Sequence, residues 1–288
     1  MKTILLATDF SESAKDAARY GFELACHIRA KVIIVYAMII AAEAPQTGFV
    51  CWPDEEIDGL LQDYAKELQN FKAELEAGLE PGAFHPPVQC INDIGRFTDV
   101  MIKAAAENHA DLAVIGSHKG GLLSNFIFGN HAEQLIDATT SPLLIVKPGT
   151  PYKPVKKIAF ATDFQHPEKD LELIYRLISF AKLLNAEILL AHVTNQQEEQ
   201  DKDKLSKTLS EYVTRLSNSA DYPNIYYRLI HDMKTEAGLV WLCEHGQVDM
   251  VAMAHRSRNI LAEYFGHSHT KSINKLSALP LLVFPVID

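Results

Sequence analysis

Residues 4–10 read ILLATDF and residues 158–164 read IAFATDF, so one motif stands twice, 154 positions apart, in a chain of 288 residues. Self-similarity at such a distance points to two copies of one structural unit. Other pieces recur in the same order: VIIVYA at 32–37 answers to ILLAHV at 188–193, and DLAVIG at 111–116 to DMVAMA at 249–254. Each copy then closes on a proline-led apolar run, SPLLIVKP at 141–148 and LPLLVFP at 279–285. The offset drops from 154 at the first strand to 138 at the fourth, so the second copy is a net 16 residues shorter over that stretch. The surplus of the first copy falls in a Pro- and Gly-bearing loop over 38–58, and GTPYKP at 149–154 is the natural linker. Two domains are expected, 1–148 and 155–288.

Within the first copy, strands are expected at 3–8, 31–37, 87–92, 111–116 and 143–147, and helices at 12–28, 55–78, 97–108 and from Gly129 to 138. Ser11 is suited to cap the first helix, because its hydroxyl can accept a backbone N–H. Leu60, Leu61, Tyr64, Leu68, Phe71 and Leu75 fall at helical spacing. Strands one, two, four and five are apolar almost throughout rather than alternating, the pattern of strands covered by helices on both faces. The fold class is therefore α/β, two tandem doubly wound parallel-sheet domains of Rossmann-like type with right-handed crossovers.

The composition is that of an ordinary globular chain, 48% hydrophobic and 22% charged, with apolar area for two cores. The formal net charge of −10 opposes a phosphate backbone and argues against nucleic acid as a partner. The charge is uneven, −9 over residues 1–150 and −1 over 151–288. The 4 cysteines form no CxxC pair; Cys26, Cys90 and Cys243 lie in apolar patterns and are read as buried thiols, Cys51 as a loop residue. Asp9 interrupts the opening apolar run, which fits neither a signal peptide nor a membrane span, and the cytoplasm is the default compartment.

Doubly wound sheets take ligands beyond the carboxyl ends of their strands, where strand order reverses. After strand one come Ala7, Thr8 and Asp9. The Asp9 carboxylate can accept bonds from a ribose, a base amine or hydrated Mg²⁺, or it can tie down the turn and the next helix; position alone weighs the two equally. After strand four, Gly116, Ser117, His118, Lys119, Gly120 and Gly121 lead to Gly129-Asn130 at the start of a helix. Glycines let backbone N–H groups approach an anion, and a helix N-terminus suits phosphate. A plain turn with a helix cap is the competing reading. Gly95, after strand three, is read as a simple turn.

Taken together, the ATDFS start, the glycine-bearing loop after strand four and the SPLLIVKP end resemble the universal stress protein family, over nearly the whole chain and twice. The resemblance implies ATP, with or without Mg²⁺, as a candidate ligand, because part of the family binds it through G-x2-G-x9-G-S/T. In this sequence those places hold Gly116, Lys119, Gly129 and Asn130, so two of the four match. Lys119 replaces a glycine, although Gly120 and Gly121 follow at once, and Asn130 replaces the hydroxyl residue. By resemblance, Ala7, Thr8, Asp9 and Ala37 face base and ribose, and Ile115, Gly116, Lys119, Gly120, Gly129, Asn130 and His131 line the other side. The matching loop of the second copy, His255-Arg256-Ser257-Arg258-Asn259, lacks glycine, and that half is not expected to bind ATP in the family manner.

His192 is expected to end a strand where the first copy has Tyr36, in a packed or hydrogen-bonded role. His267 and His269, two apart, would not converge on a metal if helical. No nucleophile–base spacing marks a catalytic centre, so no enzyme activity is expected beyond slow ATP hydrolysis. The closing strands 143–147 and 280–284 are expected to pair across a pseudo-twofold axis, an intramolecular counterpart of the family's dimer, with a further homodimer left open. Three functions are weighed: a cytoplasmic stress-response or signalling module that binds an adenine nucleotide in its first half, read by a protein partner; a nucleotide-free tandem scaffold that binds a protein or a small ligand; and an ATP-using transferase or hydrolase of the adenine-nucleotide α-hydrolase-like group, which would need a catalytic acid, base or metal set that the sequence does not display. None calls for a membrane.

Overall fold

The apolar, non-alternating runs form the inner strands of a single sheet. The computed structural model describes residues 1–39, 54–117, 130–162, 164, 167–194, 198, 200–231, 235–255 and 279–285. The first copy contributes β1 (Thr3–Ala7), α1 (Glu12–Ile28), β2 (Lys31–Met38), α2 (Asp54–Ala77), β3 (Val88–Ile94), α3 (Phe97–Glu107), β4 (Leu112–Gly116), α4 (Asn130–Ala138) and β5 (Leu143–Val146). The second contributes β6 (Lys157–Ala161), α5 (Pro167–Leu184), β7 (Glu187–Thr194), α6 (Lys202–Ala220), β8 (Ile225–His231), α7 (Thr235–His245), β9 (Met250–His255) and β10 (Leu281–Pro285).

The order across the sheet is β3-β2-β1-β4-β5-β10-β9-β6-β7-β8. Neighbours within each half run parallel, while β5 and β10 meet antiparallel with Leu143 opposite Val283 and Ile145 opposite Leu281. The two closing strands, edges in an isolated half, thus cover one another, and β3 and β8 become the outer strands. That position explains why β3 is only half-buried along its length.

Alternation across the pleat splits the interior into two layers. Ile4, Leu6, Val32, Ile34 and Val114 face α1 and α2, together with Leu144, Phe160 and Leu282; Leu5, Ile33, Val35 and Ala113 face α3 and α4, together with Ala159 and Val283. The two cores divide by sheet face, and each runs through both copies. Of the cysteines, Cys26, Cys90 and Cys243 are half-buried rather than buried. Desolvation still raises all three thiols, Cys26 to about 11 and Cys243 to about 12. Cys51 lies outside the described residues.

Candidate functional site

The chain leaves β1 for β2 on one flank and returns from β3 to β4 on the other, so strand order reverses between β1 and β4. Their carboxyl ends carry Ala7, Thr8 and Asp9 on one side and Gly116 and Ser117 on the other. The mouth of the first half sits there, where doubly wound sheets hold ligands.

The turn after β1 is built by its own side chains. Thr8 is buried; its N–H donates to the Val35 carbonyl at 3.0 Å, and its hydroxyl accepts the Phe10 N–H at 3.0 Å. Phe10 takes a left-handed φ of 61°, a conformation that costs a non-glycine residue about 1–3 kcal/mol and persists only where the surroundings fix it. Asp9 is exposed, and its Oδ1 accepts from the Ser11 N–H at 3.0 Å and the Ser11 hydroxyl at 2.5 Å. Ser11 Oγ in turn accepts the Ala14 N–H at 3.3 Å and caps α1. Asp9 therefore holds the turn and helix cap together.

Behind that turn lies an aromatic cluster that sequence reasoning missed as a unit. Phe10 is 5.0 Å from Tyr36, Tyr36 stacks on Tyr64 at 4.5 Å, and Phe71 meets Phe10 edge-on at 6.4 Å. Burial and the hydrogen bond to Tyr64 raise the Tyr36 phenol well above its usual range. The helical spacing that placed Tyr64 and Phe71 on one face of α2 was the available signal; what they cover, the Phe10 turn, was not written in it. On the opposite face, Ala37 is a small, half-buried residue beside the α3 layer.

Ile115 is buried in the α3 and α4 layer. Gly116 is explained by packing: a β-carbon there would stand 2.5 Å from the Ser13 carbonyl oxygen and 2.7 Å from its hydroxyl. The same Ser13 hydroxyl donates to the Ser117 carbonyl at 2.7 Å, fastening α1 to the end of β4. Gly95 donates to the Met38 carbonyl at 3.0 Å with φ 154°, a bend where the pairing of β2 with β3 ends rather than the simple turn expected. Next to it, Asp93 accepts from Lys103 Nζ at 2.7 Å and from the Ile94 N–H at 2.8 Å, and both contacts hold its carboxyl below the usual range. Asn130 and His131 open α4; of their side chains nothing is described. Lys119, Gly120 and Gly129 lie outside the described residues.

The second half repeats the turn and changes its lining. The Thr162 hydroxyl accepts the Phe164 N–H at 3.0 Å, and Phe164 again takes a left-handed φ, 55°. The Thr162 hydroxyl also donates to the buried Asp170 at 2.6 Å. In place of Tyr36 stands buried His192, with Nδ1 3.0 Å from the Thr162 carbonyl and Nε2 3.2 Å from Glu198 Oε2. The hydrogen-bonded role expected for His192 is thus observed. His255, at the end of β9, pairs through Nε2 with Asp137 of α4 at 2.7 Å. His267 and His269 lie outside the described residues.

These features define a tandem α/β protein of the doubly wound class, with a mouth at each switch point and a different lining in each. The sequence profile of the universal stress protein family matches residues 1–147 and again 154–285, and the chain belongs to that family. Universal stress protein MJ0577 of Methanocaldococcus jannaschii is 23% identical over 160 residues, 51% of this chain and 94% of that protein. The crystal structure of a universal stress protein from Archaeoglobus fulgidus covers 99% of this chain and 98% of its own, with a TM-score of 0.69 and 16% identity. A functionally unknown protein from Pseudomonas aeruginosa covers 99% of this chain and 93% of its own, at a TM-score of 0.55 and 12% identity. The two structures share the fold of this chain. No helix among the described residues is long and apolar enough to cross a membrane.

Proposed function

We propose that the chain is a cytoplasmic stress-response or signalling module whose first half binds ATP or a related adenine nucleotide. The observation that carries this reading is the convergence, at the first switch point, of the Asp9 turn, the end of β4 at Gly116 and the N-terminus of α4. The described residues fit the base and ribose end of such a ligand. Ala37 leaves room beside the α3 layer, Asp9 offers an exposed carboxylate for a ribose hydroxyl, and Ile115 is left its backbone. The phosphates fall to Lys119, Gly120, Gly129, Asn130 and the following His131. Occupancy, rather than turnover, is the signal, read by a protein partner.

A specific observation favours the nucleotide-free scaffold as the second reading. Gly116 is required by the packing of Ser13, so one of the two matching motif glycines has a reason independent of phosphate. Calorimetry with Mg·ATP, with ATP alone and with cAMP separates the two. The nucleotide reading expects one site per chain, lost in Gly129→Arg while the circular dichroism spectrum is unchanged. Absence of heat at millimolar nucleotide, with none co-purifying, overturns it and leaves the scaffold.

A further inference from the structure

A second concave site lies away from both mouths, on the seam between the copies. It is a cleft of about 410 Å³ between α5 and the amino-terminal ends of β1 and β4, floored by the end of β10. That volume is in the range of small-molecule sites, roughly 300–1,000 Å³. Ile4, Phe180, Leu183 and Phe284 give it an apolar side, and polar groups including Asp111 and Arg176 line the rest.

Two cations line it, Lys2, which is paired with Asp111, and Arg176. Arg176 of α5 is half-buried, its guanidinium 5.7 Å from the Phe284 ring centre, and one arm donates to the Thr140 carbonyl at 3.1 Å. Among the described residues no carboxylate lies within ion-pair distance of it. Desolvation lowers its pKa, outweighing the more distant charge of Glu172 one turn earlier on α5. Asp111, the acid of the cleft, is already engaged by Lys2 Nζ at 2.6 Å and the Thr3 N–H at 2.9 Å.

The chain's own repeat indicates what suits such a crevice. On the α1 side, the connecting segment lays Tyr152 edge-on against Tyr20, ring centres 5.2 Å apart, and buries Val155. Tyr20 there lies near Asp249, the counterpart of Asp111 in the second copy. The α5 side receives no linker, because the chain crosses between the copies once. On the α1 side a phenol of the chain thus packs at this place, while the α5 cleft sets Phe180 and Phe284 beside an arginine.

We propose that the α5 cleft binds a small aromatic carboxylate, its ring against Phe180 and Phe284 and its carboxylate on Arg176. The planar guanidinium suits a carboxylate, and aromatic rings stack well on the same apolar walls.

The test titrates the full chain with para-hydroxyphenylacetate and with its neutral counterpart para-hydroxyphenylethanol, followed by ligand-observed NMR. The acid should saturate at about 1 mM or tighter and bind at least about tenfold better than the alcohol. Arg176→Gln should erase that preference, and Arg176→Lys should restore part of it. Ser179→Trp, an exposed position on the rim, should block both compounds and leaves the proposal testable if the arginine variants do not fold. No saturation of wild type at about 10 mM acid, equal affinity for acid and alcohol, or binding untouched by Ser179→Trp each overturns the proposal. ATP calorimetry on the same variants should be unchanged, which separates this cleft from the first-half mouth.

Discussion

A methyl group at position 116 would meet the Ser13 carbonyl oxygen at 2.5 Å, backbone that cannot swing aside. Gly116→Ala should therefore cost about 1–3 kcal/mol in urea unfolding with no ligand present. An unchanged midpoint would return Gly116 to a purely ligand-facing role. Asp93 gives a second test at this scale. Its folded pKa lies below the ordinary 3.8, chiefly through the Lys103 bond and then the Ile94 N–H. A depressed carboxyl stabilises the fold above its unfolded pKa and loses that contribution as pH falls through the folded value. The stability advantage of wild type over Asp93→Asn should hold at neutral pH and shrink only below about pH 4. The carboxyl carbon shift of Asp93 should titrate with a midpoint under 3.8; a midpoint at or above it would mean the Lys103 contact does not persist in solution. Both residues show where sequence reading stops. Gly116 was legible as a strand-end glycine, but its reason, the approach of α1, is a tertiary contact with a residue more than a hundred positions away.

The turn between β1 and α1 is the element that the repeated ATDF encodes. Each half places a threonine hydroxyl under a phenylalanine N–H and holds that phenylalanine at positive φ, 61° and 55°. The motif was legible because it recurs. Its recurrence follows from turn-building, and in the first copy Ala7, Thr8 and Asp9 also carry the ligand expectation. Because the Ser11 hydroxyl both donates to Asp9 and caps α1, the two residues form one unit. Ser11→Ala should cost about 1 kcal/mol. Asp9→Ala and the double variant should fall short of additivity, by about 0.5 kcal/mol or more in a double-mutant cycle. Additive effects would detach Asp9 from the cap and leave its carboxylate to other work. The inner strands were legible from apolar runs alone, since both their faces are covered. β3 was read as ending at 92 and runs on to Ile94, because on an outer strand the half-exposed pattern gives no sharp stop.

At the scale of the molecule, the pairing of the two closing strands was legible because unpaired apolar edges seek partners. The merging of the cores was not, because a hydrophobic pattern gives the face of a strand and not what lies beyond its neighbour. Leu144 sits fully buried on the seam strand β5, opposite Leu282, in a layer that holds residues of both copies. α4 of the first copy packs against β10 of the second, and Asp137 joins His255 across the seam. The copies should therefore melt as one unit. Scanning calorimetry is expected to give a single transition whose calorimetric and van't Hoff enthalpies agree. Leu144→Ala, which empties a site shared by both copies, should lower that transition by about 2–5 kcal/mol without splitting it. Two resolved transitions in wild type, or a Leu144→Ala variant in which only the first copy loses amide protection, would mean that the seam joins two independently stable units. The nucleotide proposed for the first mouth would then stabilise that copy alone; in a single-unit molecule it would raise the melting of both.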